Sequence, residues 1–385
     1  ICAVKGWPRA LRAFPQSLMP SSVRKVLGRA PHNVPERQIK AFTTFGLEYA
    51  LRRKRATTPA EHINVDLWAG ERFCQLVTHA GLGEGSGVYV FNSAGLEILQ
   101  FAQARGLFTV LEQTIAPRLI QTQLLKHELE RYPDWEPSGH IPSNASMFAE
   151  REQKEWDMAD LIICGSEFVR DGIQACGGPI QKSAVIPYGV DTGVSEIPRR
   201  VIGGPLRVLV VGEVGLRKGA PYVMQAATRL QKQVHVRMVG QIAVSQKAET
   251  KLREVVELVG PVPRTEILKH FAWADVFLLP SMCEGSATVV YEALGVGLPI
   301  ICTPNTGSVV RDGVEGYIVP VRDVDAIVES LRKLIDESHR QEVAGNAMQR
   351  SREFSLEHYG SRLITAINSF SLKGHSLQDP PRVGT

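Results

Sequence analysis

Cysteine is scarce and scattered in this chain of 385 residues: Cys2, Cys74, Cys164, Cys176, Cys283 and Cys302 include no C-x-x-C pair. That spacing indicates neither a disulfide framework nor a structural zinc site, and reduced thiols in a cytosolic setting are the simplest reading. No apolar run approaches the roughly 18 residues of a membrane-spanning helix. The opening Ile-Cys-Ala-Val-Lys-Gly-Trp-Pro has no signal-peptide pattern and does not begin with Met, as in a trimmed chain. Also missing are H-E-x-x-H, Walker A, G-x-S-x-G and paired metal-ligand clusters, which weakens metalloenzyme, kinase and hydrolase readings. The glycines of 81–87 superficially fit a dinucleotide fingerprint, but they precede a strand where the fingerprint must follow one, so they read as a turn. His140 stands alone in a Ser-Gly-His loop and reads as a loop residue.

Acidic residues are nearly absent from the first 60 positions, which hold 12 Lys or Arg against 2 Glu. That stretch carries +10 and leaves −6 for the rest of a chain whose net charge is +4. Arg52-Arg53-Lys54-Arg55 is its sharpest cluster. It reads as a solvated helix end or as a contact with anionic membrane; no zinc finger or RNA-binding signature accompanies it, so nucleic acid is not expected as a partner.

The length suits two or three domains, and from residue 88 to about 340 buried strands alternate with amphipathic helices, the pattern of parallel sheets covered on both faces. The first half reads as strand Val88–Phe91, helix Ser93–Ala104, strand Phe108–Glu112, helix Ile115–Tyr132, a Pro/Gly/Ser stretch at Asp134–Ser143, a helix through Met158, strand Leu161–Cys164, a helix opening at Ser166 and a strand ending at Ile186–Gly189. After a linker at Val190–Pro205 comes the apolar run Leu206–Gly212. Its successors are a helix near Pro221–Gln231, strand Val234–Val239, helices Lys247–Val259 and Arg264–Ala272, strand Asp275–Leu279, helix Thr288–Val296, strand Pro299–Thr303 and helix Asp323–Glu337. The fold class expected is α/β, with two Rossmann-like domains facing a cleft. Tyr359, Leu363 and Ile367 share one face of a further helix over 354–370, and the segment after Leu372 reads as a mobile terminus.

Chemistry concentrates in two loops. After the strand ending at Val211, the loop Gly212–Gly219 carries Arg217-Lys218, and two adjacent cations on a glycine-flanked loop can neutralise a diphosphate. Residues 276–302 run from a buried strand through a polar loop into a helix and on to a second strand, placing Glu284 and Glu292 at the two ends of the loop–helix element. Small residues there let backbone N–H groups approach phosphate oxygens, and two carboxylates can hold hydroxyls, an arrangement suited to a sugar nucleotide. Pro280-Ser281, Glu284-Gly285-Ser286-Ala287, Glu292-Ala293 and Gly297-Leu298-Pro299-Ile300 all sit in this unit. Here the chain resembles the retaining family 4 glycosyltransferases, whose two-domain scaffold is called GT-B.

The resemblance implies an N-terminal acceptor-side domain at 1–192, a nucleotide-sugar domain at 205–353, and at 354–385 a helix crossing back to the first domain, with a tail. Lys218 and Gly219 match the family's phosphate loop, whereas Glu213 stands where an arginine is usual, so Arg217 is expected to supply the second cation beside Gly212. Glu292 would hold the donor ribose, Glu284 the transferred sugar, and the N–H groups of Gly285, Ser286, Ala287 and Thr288 the sugar and phosphate oxygens. Val262, within Val259–Arg264, would pack against the base. At the strand end where the family often carries histidine, this chain has Glu112 and Gln113, and Glu112 reads as a polar contact or base at the cleft or as a hydrogen-bonded structural residue. The family's opening strand and acceptor loop are not visible before residue 60. Implied are a UDP- or GDP-sugar donor, a saccharide or lipid-linked acceptor, no metal and no cofactor, and a cytoplasmic, peripheral location in cell-envelope polysaccharide or glycolipid synthesis. The alternatives are a degenerate sugar-nucleotide-binding protein and a GT-B epimerase.

Overall fold

The computed structural model describes residues 34–137, 141, 143–191 and 203–376. Cys2, the basic stretch 1–33, His140, most of the 190–205 linker and the tail from 377 lie outside the described residues.

Two helices not anticipated by strand–helix alternation come first, α1 (Thr43–Arg55) and α2 (Pro59–Ala80). A capping box starts α2: the Thr58 hydroxyl accepts from the Glu61 N–H, the Glu61 carboxylate accepts from the Thr58 N–H, and Pro59 fills the first turn. The basic cluster closes α1; Arg52 pairs with Glu48 at 2.8 Å and Arg53 with Asp66 of α2. Then follow β1 (Gly87–Phe91), α3 (Leu96–Gln103), β2 (Phe108–Gln113), α4 (Arg118–Arg131), α5 (Ser146–Met158), β3 (Leu161–Cys164), α6 (Glu167–Ala175) and β4 (Ser183–Val185). The strands form one parallel sheet in the order β1-β2-β3-β4.

The second sheet is built from β5 (Leu206–Val211), α7 (Ala220–Arg229), β6 (Val234–Val239), α8 (Gln246–Arg253), β7 (Val256–Gly260), α9 (Ile267–Trp273), β8 (Val276–Leu279), α10 (Thr288–Gly295), β9 (Ile300–Cys302), β10 (Gly316–Ile318), α11 (Val324–Lys333) and α12 (Glu337–Ser351). Its six parallel strands lie in the order β10-β9-β8-β5-β6-β7. The winding runs outward from β5 to β7, then returns to the other side of β5 for β8. The loops leaving β5 and β8 therefore diverge at the carboxyl edge of the sheet, and that switch point opens a crevice.

Helix α13 (Leu356–Ser376) returns to the first sheet. Its Tyr359, Leu363, Ala366, Ile367 and Phe370 pack on Val110, Leu161, Ile163 and Ile186. The alternation in β2 and β3 sends Leu111, Ile162 and Cys164 to the opposite face, with Trp156 and Leu99.

Several boundaries differ from those read in sequence. The helix expected over Lys247–Val259 is split: α8 ends at Arg253, and Val256–Gly260 is the edge strand β7, whose burial alternates residue by residue. Val255, Val256 and Val259 are β-branched, and the open edge of β6 offers them a ladder that a helix cannot use. The helix read from Ser93 begins at Leu96, because the Glu155 carboxylate accepts from the N–H groups of Ser93, Gly95 and Leu96 and holds the preceding loop. The helix read from Ile115 begins at Arg118, after Pro117. Strand β4 stops at Val185, before Pro187, which has no N–H to donate. Asp323 and Asp336 cap separate helices, so the stretch read as one helix from Asp323 ends at Lys333. The last helix continues past Leu372 to Ser376.

Candidate active site

The apolar run of β5 ends at Val211 and hands over to Gly212, whose φ is 137° and where an added Cβ would stand 2.9 Å from Lys218 Cε. Only glycine tolerates both conditions. The Met282 N–H donates to the Arg217 carbonyl at 2.8 Å, stitching the loop after β5 to the loop after β8. On that seam Glu284 Oε1 accepts from Arg217 Nη1 and from Lys218 Nζ, each at 2.8 Å. The Lys218 side chain is 9% exposed and that of Glu284 11%. Burial lowers the Lys218 pKa, and the Glu284 carboxylate opposes the shift. The fold thus brings Arg217, Lys218 and Glu284 into one ion cluster from positions about 67 residues apart in the chain.

Glu292 lies on α10, where its carboxylate accepts from Arg264 Nη2 at 3.1 Å. Burial raises the Glu292 pKa and Arg264 counters it. Arg264 opens the short turn after β7, two residues beyond Val262, which packs on the core beneath α10. The segment expected to meet a nucleotide base is therefore joined to Glu292 by an ion pair.

The first sheet closes against this assembly. An added Cβ on Gly285 would lie 1.9 Å from the Thr114 carbonyl, so the two backbones touch there. The Ala116 N–H donates to the Glu284 carbonyl at 3.3 Å, and the Ser166 hydroxyl donates to the Gly285 carbonyl. Ser286 turns inward, its hydroxyl 2.6 Å from that of Tyr291 and donating to the Gly307 carbonyl at 2.9 Å. Thr288 opens α10 and is exposed. One expectation is corrected: the Ala287 N–H donates to the Thr306 carbonyl at 3.2 Å, so it is committed inside the protein and not directed at a ligand.

Glu112 is buried, accepts from the Tyr89 hydroxyl at 2.5 Å, and lies close to Tyr188 and Tyr359. That places it on the face of the sheet covered by α13. Gln113 points the other way: its amide donates to Glu152 at 2.6 Å and to the Ile115 carbonyl at 3.0 Å, and accepts from Trp156 Nε1 at 3.0 Å. It shapes the loop that touches Glu284.

Residues that sequence reasoning did not single out also reach the site. Asn305 supplies the carbonyl that accepts from the Glu284 N–H at 3.0 Å, and its amide donates to the Met282 carbonyl at 2.8 Å. Glu136, from the first half of the chain, accepts from the Leu216 N–H at 2.7 Å. Neither had a sequence signal beyond lying in a polar loop.

Two parallel-sheet domains, a crevice at a topological switch point and a last helix crossing back define a GT-B fold. Solved GT-B structures superpose on the chain: sucrose-phosphate synthase from Thermosynechococcus elongatus with a TM-score of 0.63 and 17% identity, covering 80% of this chain and 79% of that one. HepE from Anabaena, in complex with UDP-glucose, does so with a TM-score of 0.56 and 15% identity, covering 80% and 82%. Residues 205–337, which include both loops of the site, match the family described as glycosyl transferases group 1. In sequence the chain is 28% identical over 192 residues to the amylovoran biosynthesis glycosyltransferase AmsK of Erwinia amylovora, an alignment covering 46% of this chain and 47% of AmsK. The chain spans about half the length of the curated relatives it matches.

Proposed function

We propose that this protein is a retaining glycosyltransferase of the family 4 type, moving a sugar from a nucleoside-diphosphate sugar to a hydroxyl acceptor in cell-envelope polysaccharide or glycolipid synthesis. The observation that carries the reading is the convergence of buried Lys218 with Arg217 on one carboxylate at the switch point of the group 1 domain. In this reading the donor diphosphate takes the place of Glu284 on the two cations, and the charge that develops as the anomeric bond breaks is stabilised there. Glu292 and Arg264 lie on the nucleoside side, and Glu284, once released, reaches the sugar hydroxyls. The acceptor hydroxyl attacks on the same face that the diphosphate leaves, and a diphosphate oxygen takes the proton. Closure of the 114–117 loop on Glu284 and Gly285 orders the reacting atoms and excludes water.

The donor is a UDP- or GDP-sugar, and the acceptor a saccharide or lipid-linked hydroxyl. The exposed basic end of α1 suits peripheral contact with an anionic membrane from the cytoplasm. No helix among the described residues is long and apolar enough to cross a membrane.

The test is a screen of UDP- and GDP-sugars for release of nucleoside diphosphate, with Lys218→Ala beside the parent protein. One donor is expected to turn over, and the variant to lose about a hundredfold or more. Equal rates in the two proteins would refute the assignment. Binding of nucleoside diphosphate without release of sugar from any donor would favour a degenerate binding module.

A further inference from the structure

After its contact with Glu284, the first-domain chain runs through α4 and docks on the second domain well beyond the cleft. The Glu128 carboxylate accepts from the Tyr222 hydroxyl at 2.8 Å and from Arg322 Nε at 2.5 Å. Trp135 is buried in the second domain's core with Leu216 and Tyr222. The Trp135 carbonyl accepts from the Ser245 N–H at 2.7 Å, and Asp134 pairs with Lys247 at 2.7 Å. This strap sets the next residue, Glu136, against the phosphate loop, where its Oε1 accepts from the Leu216 N–H at 2.7 Å. Leu216 immediately precedes Arg217 and Lys218.

We infer that Glu136 is a positioning residue lent by the first domain: it holds the Leu216 amide, and through that peptide sets the aim of Arg217 and Lys218 at the donor diphosphate. The inference rests on the proposed reading of the loop as the diphosphate site. Other N–H groups of the loop are tied down within the second domain, Val214 on Gln241 at 2.8 Å and Gly219 on Leu216 at 2.9 Å, so the Leu216 amide is where the first domain enters. A carboxylate this near a diphosphate opposes it by charge. Its presence therefore makes sense through the contact, and charge and contact predict opposite results on removal. The strap also explains how cleft closure reaches the cations, since residues 114–116 touch Glu284 and Gly285 at one end of the same segment and Glu136 touches Leu216 at the other.

The experiment is calorimetric titration of the full chain with UDP and GDP, comparing the parent with Glu136→Ala, Glu136→Gln, Lys247→Ala and Lys218→Ala. Glu136→Gln keeps an oxygen acceptor without the charge; Lys247→Ala removes only an exposed ion pair of the strap, which Trp135 and Glu128 still anchor. Glu136→Ala is expected to weaken the nucleotide that the parent binds by about fivefold or more, as for loss of a hydrogen bond to a charged group, while Glu136→Gln and Lys247→Ala stay within about twofold. Hydrogen exchange in the peptide containing Leu216 should quicken in Glu136→Ala alone, a readout that a general loss of stability would not confine there. Unchanged or tighter binding by Glu136→Ala, or equal weakening by Ala and Gln, would overturn the inference. Parent-like affinity in Lys218→Ala would instead sink the reading of the loop as the diphosphate site.

Discussion

Replacing Glu284 by Gln tests whether that carboxylate is the internal counter-ion a donor must displace. Oε1 sits 2.8 Å from both Arg217 Nη1 and Lys218 Nζ, in a place where both the lysine and the glutamate are nearly buried. A hydrogen bond to a charged group contributes about 1.5–3 kcal/mol net, and a neutral one about 1. Exchanging one charged acceptor for an amide oxygen should therefore free about 1–2 kcal/mol of competition at the cations, a roughly 5- to 30-fold tighter Kd for nucleoside diphosphate. Lys218, left without its anion in a buried position, lowers the stability of the ligand-free variant. Nucleoside diphosphate at 100 times its Kd restores about 2.7 kcal/mol. Sugar transfer should move the opposite way and fall by about a hundredfold, since the amide no longer presents a carboxylate to the sugar hydroxyls. Calorimetry with UDP and GDP, thermal unfolding with and without nucleotide, and initial rates on one sample separate these effects. Weaker nucleotide binding by the variant would refute the reasoning, because it would make Glu284 part of the anion's support and not its competitor.

Arg217→Ala should lower turnover by about tenfold or more; a rate within about twofold of the parent would show that Lys218 works alone. Gly285→Ala forces a methyl group to within 1.9 Å of the Thr114 carbonyl, so it should part the domains at the site and abolish transfer while leaving the circular dichroism of the sheets intact. Buried Glu155 has its pKa pushed up to about 7, mainly by desolvation, against the N–H bonds of Gly95 and Ser93. A carboxyl held above its unfolded value binds protons more tightly in the native state, so its contribution to stability falls as pH rises from about 4.5 to 7. Glu155→Gln should flatten the melting temperature across that window, and an unchanged slope would argue against the shift. Equal recovery in flotation with neutral and anionic vesicles at low salt would remove the membrane role given to the basic end of α1.

Much of this architecture was legible in local pattern. Leu206–Val211 and Val276–Leu279 are apolar runs that neighbouring strands and helices bury on both faces, and Tyr359, Leu363 and Ile367 recur at helical spacing toward the first sheet. Ser166 and Asp323 announced their helices through their own side chains. Where two periods were both available, the pattern misled: Lys247–Val259 fits a helix until the edge of β6 recruits its last residues as a strand.

By itself, the order of residues determined which segments become strands and helices, and that Arg217-Lys218 and the Glu284–Glu292 element stand on loops following strands, because backbone preference and apolar period act within a few residues. Tertiary structure decided that these loops meet at one switch point, that Glu284 lies between two cations, that the Ala287 amide is spent on Thr306, and that Glu136 crosses to Leu216. Those contacts join positions from 19 to 80 apart in the chain. No local preference encodes them; they follow from how the sheets wind and how α4 and α13 bind the domains together.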